Sequence, residues 1–560
     1  DVREVVLSGF DDHDTHHAIS AFCVDPSGAL IMGEGTFLHS NVETAYGPVR
    51  SSNGGFFRYS PQRKKLERIC RVSIPNPWGT AFDGWGQDFF TDTSDPNLRW
   101  MLPASINVKY GDFAPNPWNL LEQHKVRPTS GLEFISSRHF PDEVQGDVLI
   151  NNTIGFQGTK QHRMLDDGSV LRAIYRHDLL VSNDRNFRPV DMEFAPDGSL
   201  YMVDWHNALI GHMQHNARDP NRDHAHGRIF RITYPARPLV KPARVHGASI
   251  RELLENLKLP EYRTRYRTRR ELRGRNSEEV FSAVKAWTKT LNQSDPAREH
   301  HLVEALWVTW GLNRIDETLL SELLQANDFR ARCAAVRVLR YNGHRIKNQA
   351  ALLAGAAKDS HGRVRLEATV AATWLAPDQG RAIFEQATAN DHKRLNDVYG
   401  AMKRQFEGSP IQSPARSAPK THLTGKDREL FLKGVEVYSR EGHCITCHQP
   451  TGEGLPAAQF PPLAGSQWVT GSSERLTKLV LHGMIGPVEV KGTRYPGTVP
   501  MIPFKHLSDD EIAGVLTYIR NAFGHRASVV TPAQVQATRK VTQKQTNLYT
   551  PEQLLQEHPK

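Results

Sequence analysis

The chain has 560 residues, of which 39% are hydrophobic and 23% are charged, a composition typical of ordinary globular domains. Five cysteines in this length exclude a scaffold held together by disulfides, and no apolar run approaches the roughly 20 residues of a membrane-spanning helix. The formal net charge of +9 is moderate for this length and favours an ordinary basic protein over a specialised binder of acidic surfaces.

Residues 1–240 are predicted to form β structure. A unit of strand, turn and strand recurs, and its turn glycines Gly28, Gly86, Gly146 and Gly198 are roughly 50–60 residues apart. This period indicates a β-propeller, with a β-sandwich as the alternative. Because four units are few for a closed ring and the chain begins at an aspartate, we expect a trimmed product whose propeller lacks one or two N-terminal blades.

Residues 245–405 are predicted to be helical, because their apolar positions recur with helical spacing. A pattern that begins at Asp328 recurs from Asp359, which resembles stacked HEAT-like repeats. An arginine-rich stretch runs from Arg263 to Arg275. It is either a docking patch for an acidic partner or, as we favour, a helix whose arginines pair with neighbouring repeats. Residues 406–424 are Ser/Pro-rich and are predicted to be a linker.

The segment 425–530 contains one short motif with specific chemistry. Cys444 and Cys447 are three residues apart, and His448 follows directly. Two thiols at this spacing can each form a thioether with a haem vinyl group, and the adjacent imidazole can then reach the iron. A zinc ribbon would need a second Cys/His pair, and a thioredoxin-like redox pair would need a βαβ setting. The sequence offers neither.

The flanks of this motif, from "DRELFLKGVEVYSREGHCITCHQP" to "LSDDEIAGVLTYIRNAFG", resemble a class I cytochrome c, an all-α fold. The resemblance implies one covalent haem c with His448 as the proximal iron ligand. It also implies that Met501, in "GTVPMIPF", is the distal ligand, with Met484 as the alternative. Residues 531–560 are expected to form a polar C-terminal tail.

The β segment carries a second resemblance. Its stretches "HAISAFCVDPSGALIMGEG", "NPWGTAFDGWG" and "FRPVDMEFAPDGSLYMVDW" are similar, in this order, to soluble glucose/sorbosone dehydrogenase propellers, which bind pyrroloquinoline quinone and calcium and oxidise sugars. The resemblance implies that His17 is a general base and that Asn76 and Arg188 belong to the catalytic site. The order of propeller, helical repeats and cytochrome c also resembles a planctomycete-type haem-binding "membrane-bound dehydrogenase" family.

Three departures weaken the part of this resemblance that concerns the cofactor. Pro75 and Val190 stand where those dehydrogenases have arginines, and Ile19-Ser20 replaces a Gly-Gly pair. Because a guanidinium binds a carboxylate through two parallel hydrogen bonds, the loss of two arginines should weaken the binding of a tricarboxylate quinone. The quinone and calcium therefore do not follow from the resemblance in fold.

Two groups of polar residues resemble metal sites. The first has oxygen donors at alternating positions, as calcium loops do, with a purely structural loop as the alternative: Asp219, Asn221 and Asp223. The second is a candidate transition-metal site and consists of Asp14, His16, His17, Asp204 and His206.

These features together predict an exported, periplasmic oxidoreductase. The propeller would oxidise a sugar or another hydroxylated substrate, and the haem would pass the electrons to a redox partner protein. The alternative is a non-catalytic electron carrier whose propeller and repeats bind a partner or a polysaccharide. Nucleic acid is not an expected partner, and membrane association, if any, would be peripheral. Whether Cys23 and Cys70 form a disulfide is left open by the sequence.

Overall fold

The computed structural model describes residues 3–12, 17–36, 38–108, 115–207, 222–387, 395–407, 421–439, 444–454, 460–497 and 500–559. The chain divides into two compact units. The N-terminal unit consists of residues 1–153, 157–208 and 223–412, and the C-terminal unit is built on residues 413–560. No helix among the described residues combines the length and the apolar character needed to cross a bilayer.

Four antiparallel sheets lie in the described first part of the N-terminal unit, and the strands of each sheet follow one another in chain order except that β3 and β4 lie between β2 and β5 of sheet 1. Sheet 1 contains β1 (Ser20–Val24), β2 (Leu30–Glu34), β5 (Gly55–Ser60) and β6 (Lys65–Cys70), with β3 (Asn41–Val42) and β4 (Val49–Arg50) as a separate ribbon. Sheet 2 contains β7 (Pro77–Phe82), β8 (Asp88–Asp92), β9 (Asn97–Trp100) and β10 (Trp118–Asn119). Sheet 3 contains β11 (Thr129–Phe134), β12 (Val148–Asn152), β13 (Gly158–Asp167) and β14 (Val170–Val181). Sheet 4 has three strands, β15 (Pro189–Phe194), β16 (Leu200–Asp204) and β17 (Arg228–Ile232).

Successive sheets contact one another through their first strands, which gives a propeller-like arrangement. The Ser20 hydroxyl donates to the Pro77 carbonyl at 3.0 Å, and the Ser130 hydroxyl donates to the Pro189 carbonyl at 2.7 Å. Every first strand also has a β-bulge near its start. The four turn glycines all adopt positive φ, between 71° and 89°. None of the described sheets closes into a barrel.

Ten α-helices follow the sheets in the described part of the N-terminal unit. They are α1 (Ile250–Asn256), α2 (Tyr262–Arg273), α3 (Ser277–Thr290), α4 (Arg298–Gly311), α5 (Glu317–Leu323), α6 (Phe329–Asn342), α7 (Gln349–Ala356), α8 (Gly362–Ala372), α9 (Pro377–Ala387) and α10 (Asn396–Glu407). Arg332 in α6 pairs with Asp359, just before α8, at 2.6 Å. The assignment of these helices to the HEAT class remains a prediction. The sequence analysis separates the sheets from the helices, whereas one apolar core contains residues of both.

Helix α2 is joined to the sheets by ion pairs between its arginines and carboxylates of the strands. Arg263 pairs with Glu133 in β11 at 2.7 Å, and Arg267 pairs with Glu193 in β15 at 2.8 Å. Burial acts to lower the pKa of Arg263, but the neighbouring carboxylates of Glu133 and Glu193 outweigh it and raise the pKa. The arginine-rich stretch therefore departs from the predicted pairing with neighbouring repeats, because Arg263 and Arg267 bind carboxylates of the sheets. Arg265 and Arg269 do pair with a neighbouring helix, through Glu304 of α4.

The C-terminal unit contains seven helices in its described part. They are α11 (Gly425–Ser439), α12 (Cys444–His448), α13 (Gln467–Thr470), α14 (Ser473–His482), α15 (Asp509–Asn521), α16 (Pro532–Val541) and α17 (Pro551–Glu557). The all-α expectation is wrong in one place, because β18 (Val488–Val490) and β19 (Thr493–Tyr495) form a hairpin. Its turn residues Lys491 and Gly492 have φ of 54° and 74°, as a tight hairpin turn with both central residues at positive φ requires.

The predicted polar tail is folded. Both of its helices begin with a capping box, in which Thr531 and Thr550 each pair with a glutamine three residues later. Val535 and Leu554 are fully buried and belong to the apolar core of the C-terminal unit. Sequence reasoning missed these helices because each is short and has only a few apolar residues.

We expect that replacing Glu304 with glutamine will lower the free energy of unfolding of the N-terminal unit by about 3–5 kcal/mol. Glu304 in α4 is fully buried and binds Arg265 at 2.7 Å and Arg269 at 2.5 Å, so its neutralisation leaves buried guanidinium charge without compensation. Urea denaturation followed by tryptophan fluorescence measures the loss. Glu322→Gln is the matched control, because its pair with Arg298 is largely exposed and should contribute less than about 1 kcal/mol. Equal effects of the two variants would contradict the prediction.

A second prediction concerns the crossing of α11 and α15. A Cβ atom added at Gly434 would lie 2.0 Å from the Gly514 carbonyl oxygen, so Gly434→Ala must push the two helices apart. We expect a loss of about 1–3 kcal/mol in the stability of the C-terminal unit, measured by thermal denaturation. Gly355→Ala in α7 is the control, since nothing lies within 4 Å of its added Cβ. That variant should be neutral or slightly stabilising.

Candidate functional site

The first candidate site is the short helix α12 and its surroundings. Cys444 and Cys447 are three residues apart in this helix, so both thiols lie on one face. Both are partly buried, and burial raises the pKa of the Cys444 thiol to about 12. A thiol in this environment is a poor nucleophile in solution exchange.

His448 is held in a defined orientation. Its Nδ1 lies 2.9 Å from the carbonyl oxygen of Pro461. A carbonyl can only accept, so Nδ1 carries the proton and Nε2 carries the lone pair that a metal needs. Burial also lowers the pKa of His448, which favours the neutral ring. The Gly454 amide donates to the His448 carbonyl at 3.0 Å and fixes the loop that follows the helix.

The two methionines named as distal ligands lie side by side. Their backbones form an antiparallel bridge, in which the Met484 amide donates to the Met501 carbonyl at 3.0 Å and the Met501 amide donates to the Met484 carbonyl at 2.8 Å. Residues directly opposite one another in such a bridge project to the same face. The structure therefore brings both thioethers to one face, and both side chains are partly buried.

Aromatic residues connect the α12 region to the two long helices of this unit. Tyr438, fully buried at the end of α11, donates from its hydroxyl to the Gln449 carbonyl at 2.7 Å. Its ring packs against Tyr518 of α15 and against Phe523. The orientation of α12 is thus fixed by the same contacts that join α11 to α15.

The second candidate site lies in the N-terminal unit, where the first strands of the sheets begin. His17 is fully buried, and its Nδ1 lies 2.9 Å from the Thr36 carbonyl, so in the neutral ring Nε2 carries the lone pair. Gly35 fits between His17 and the loop before sheet 2, since an added Cβ would lie 2.9 Å from the His17 Cβ and 2.3 Å from the Pro75 carbonyl oxygen. The loop of His17 therefore lies beside the loop that contains Asn76.

Arg188 binds two backbone carbonyls at the end of sheet 4 where its first strand, β15, begins. Its Nη1 donates to the Thr153 carbonyl at 2.7 Å, and its Nε donates to the Asn207 carbonyl at 2.9 Å. Burial lowers the pKa of Arg188 to about 10. The guanidinium thus joins the segment after β12 to the segment after β16.

Asp204, the last residue of β16, is buried and organises this loop. Its Oδ1 accepts from the amides of Arg188 at 2.6 Å and His206 at 2.9 Å. Its Oδ2 accepts from Arg228 of β17 at 2.6 Å. His206 consequently has positive φ, 53°, which is uncommon for a non-glycine residue.

Sheet 2 repeats this arrangement. Asp92 ends β8, as Asp204 ends β16, and it accepts from the amides of Asn76 at 3.4 Å and Ser94 at 2.9 Å and from Arg99 of β9 at 2.9 Å. Asn76 and Arg188 therefore occupy equivalent places, each directly before the proline that begins a first strand. We call this buried aspartate with its two amides and its arginine the strand-end clasp.

The corresponding place in sheet 3 belongs to Arg127, a residue that sequence reasoning missed. Arg127 directly precedes Pro128 at the start of β11, and the Asn152 side-chain amide donates to the Val126 and Pro128 carbonyls on either side of it. Only 5% of Arg127 is exposed. Within the part of the chain that the structure describes, its guanidinium has neither a hydrogen bond nor an ion pair. The arginine-proline dipeptide shared with Arg188 is the signal that could have revealed it.

The two metal-site hypotheses gain no support. Asp14, His16, Asp219 and Asn221 lie outside the described residues. Asp223 accepts from the amides of Ala225 and His226 and contacts the His226 ring at 2.9 Å. Both carboxylate oxygens of Asp204 already accept the hydrogen bonds of the strand-end clasp. Among the described residues, no group of three or more His, Cys, Asp or Glu side chains is arranged to hold a metal ion. Cys23 and Cys70 are free thiols.

Comparison with known proteins identifies the C-terminal region. Residues 431–523 match the cytochrome c family model. Cytochrome c-552 of Thermus thermophilus is 38% identical over 133 residues, which are 23% of this chain and 95% of that protein. Through this region, the chain belongs to the cytochrome c family. The cytochrome c subunit of the quinone alcohol dehydrogenase of Gluconacetobacter polyoxogenes is 36% identical over 134 residues, 23% of this chain and 27% of that subunit.

The N-terminal region matches a family model without an assigned function and, weakly, two solved structures. Residues 1–236 match a domain of unknown function, DUF7133. A solved glucose dehydrogenase has a TM-score of 0.25 and 17% identity, over 39% of this chain and 61% of that one. A putative gluconolactonase has a TM-score of 0.22 and 18% identity, over 33% of this chain and 55% of that one. The chain thus spans little more than half of these structures, and similarity at this level supports no conclusion about activity.

A cytochrome c domain implies haem c, and the residues present fit it. The two thiols share a helix face, the His448 tautomer presents Nε2, and thioether donors stand on a single bridge. When bound, a haem supplies reversible one-electron transfer. The sequence motif predicts the two cysteines and the histidine as the haem-binding residues, whereas the Pro461 acceptor is not recognisable from the sequence.

Separate substitution of Met501 and Met484 will show which of the two is the distal haem ligand. We expect Met501→Ala to abolish the weak far-red absorption of methionine-ligated ferric haem and to lower the midpoint potential, because a thioether ligand favours the ferrous state. Met484→Ala should retain the band. Visible spectroscopy and redox titration of both variants provide the measurement. The opposite pattern would show that Met484 is the ligand.

Proposed function

We propose that this protein is an exported c-type haem oxidoreductase whose cytochrome c domain carries electrons away from an oxidation site in the N-terminal unit. Cys444 and Cys447 would attach the haem, with His448 as the proximal ligand and Met501 as the distal ligand. The observation that supports electron transfer is the hydrogen bond from His448 Nδ1 to the Pro461 carbonyl, because it leaves Nε2 unprotonated and able to ligate a haem iron. Covalent haem attachment in bacteria takes place outside the cytoplasm, which supports a periplasmic location and a redox partner protein there.

The oxidation site would lie at the strand ends that bear His17, Asn76, Arg127 and Arg188. His17 would accept the proton of a substrate hydroxyl at Nε2, since Thr36 keeps Nδ1 protonated. Asn76 and Arg188 would position the loops around the substrate, because Arg188 bonds to two backbone carbonyls. The relative named as the cytochrome c subunit of a quinone alcohol dehydrogenase supports an alcohol as the source of the electrons, and a sugar is a further hydroxylated candidate.

Arg127 suggests which hydroxylated compounds to test first. The Arg127 guanidinium has no acidic partner among the described residues, and a carboxylate of a bound ligand would pair with it through two parallel hydrogen bonds. We therefore propose a substrate with both a hydroxyl and an acidic group, such as a sugar acid.

Electron balance requires one further component. Oxidation of an alcohol to a carbonyl compound releases two electrons and two protons, whereas one haem accepts one electron. A two-electron acceptor must therefore act between the substrate and the haem. Pyrroloquinoline quinone with calcium is the acceptor in the dehydrogenase propellers that the sequence resembles. Because Pro75 and Val190 replace two of their arginines, it enters the test below only as an added component.

The alternative is a non-catalytic electron carrier. One observation favours it: the Arg188 donors that would contact a quinone carboxylate are directed to backbone carbonyls. In that case, the N-terminal unit would bind a partner protein or a polysaccharide.

Haem reduction in the purified, oxidised protein tests the oxidoreductase. Neutral sugars, alcohols and sugar acids are added with and without the quinone and calcium, and the visible spectrum reports reduction. We expect reduction by sugar acids, and we expect His17→Ala to lose it at least about 100-fold because a general base is removed. His246→Ala, an exposed histidine, is the control. If no substrate reduces a haem that dithionite does reduce, the electron carrier is the better description.

Arg127→Gln tests the substrate class in the same assay. We expect kcat/KM for gluconate to fall about tenfold or more, with little change for glucose, because only the carboxylate interaction is removed. Arg185→Gln, which also removes one positive charge but from an exposed position, should change neither. Equal losses for both substrates would contradict the assignment of Arg127 to an acidic group.

A further inference from the structure

The chain after the cytochrome c match forms an extension, residues 525–559, that contains α16 and α17. We propose that this extension positions the distal haem ligand. The inference rests on the proposed haem ligation and concerns residues that the ligand motif does not include. Three sets of contacts carry it, and all of them reach the two segments that contain Met484 and Met501.

The first set extends the methionine bridge by a third segment. The Tyr549 amide donates to the Gly483 carbonyl at 3.2 Å, and the Ile485 amide donates to the Tyr549 carbonyl at 2.9 Å. Met484 therefore lies between Met501 on one side and Tyr549 on the other, in a small ladder of three segments. Because Tyr549 is buried, the extension closes the outer edge of this ladder.

The second set comes from Arg539 in α16. Its Nη1 donates to the Lys505 carbonyl at 2.6 Å, its Nη2 donates to the Leu507 carbonyl at 2.8 Å, and its Nε pairs with Asp509 at 2.8 Å. These acceptors follow Met501 by only a few residues and lead into α15. The Arg539 guanidinium thus fixes the end of the loop that runs from Met501 to Leu507, and the ladder fixes its beginning at Met501.

The third set packs the extension against the end of α14. His482 Nε2 lies 2.8 Å from the Thr542 hydroxyl, directly before the ladder begins. Gly483 has φ of 74°, and a Cβ added there would lie 2.4 Å from the Met501 carbonyl oxygen and 2.7 Å from the Leu548 side chain. The backbone of the methionine loop is therefore enclosed between the core and the extension.

If Met501 ligates the haem iron, a foreign ligand such as imidazole would bind only in molecules in which the loop containing Met501 has opened. Its apparent affinity is the intrinsic affinity multiplied by the fraction of molecules in the open state. Contacts from the extension stabilise the closed state alone, so they should lower that fraction. The extension would then set the accessibility of the iron and, through occupancy of the thioether, its midpoint potential.

The test uses Arg539→Gln in the full-length, haem-loaded protein. We expect imidazole to bind the ferric haem about tenfold more tightly than in the parent, since the two carbonyl bonds are lost, and the midpoint potential to fall. Lys540→Gln is the matched control, because it removes one exposed positive charge from the same helix. Unchanged imidazole affinity and potential in Arg539→Gln, with only a lower melting temperature, would show that the extension is merely structural and would overturn the proposal.

Thr542→Val provides a second variant that is less disruptive, and it should raise imidazole affinity in the same direction by a smaller factor. The haem content and far-red band of the parent protein are recorded first. Absence of haem or of the band there would contradict the proposed ligation itself, whereas a normal parent with unresponsive variants would contradict only the role of the extension.

Discussion

The N-terminal unit depends on a buried charge arrangement around α2. Four arginines of this helix alternate between two directions, because residues four apart lie on the same helical face. Arg265 and Arg269 contact Glu304 of α4, and Arg263 and Arg267 contact carboxylates of the sheets. The helix is thereby fastened on both sides, and the sheets cannot shift against the helices without separating buried charges. Such pairs contribute little net stability compared with apolar packing, but they allow few alternative arrangements.

The cytochrome c domain follows a different constraint. Its motif requires two thiols and an imidazole on one short helix, and the surrounding structure has to orient that helix with little tolerance. The contact of Gly434 with Gly514 lets α11 and α15 approach closely, and Tyr438 then connects their crossing to the segment after His448. The packing of α11 against α15 thus orients the short helix that carries the residues that would hold a haem.

The sequence signal is strongest where chemistry requires a fixed spacing, as at Cys444, Cys447 and His448, and residues 431–523 do match the cytochrome c family. Sequence reasoning also found the helices and the strand-turn-strand units, since periodicity and turn glycines are local signals. It missed features that exist only through pairing of distant segments, such as the bridge between Met484 and Met501. The sequence predicts only a polar tail for the extension, because a few buried residues in short helices, such as Val535 and Leu554, give no clear periodicity.

In the strand-end clasp, the aspartate binds the backbone amide, not the side chain, of the residue before the first strand. In sheets 2 and 4, the aspartate binds the backbone amide of the residue before the proline, and a backbone amide is common to asparagine and arginine alike. The identity of the side chain at that place can therefore change while the aspartate keeps its bond to the backbone amide. In sheet 4 such a change would also remove the two carbonyl bonds of Arg188, so Asn76 of sheet 2 is the better starting point for directed evolution.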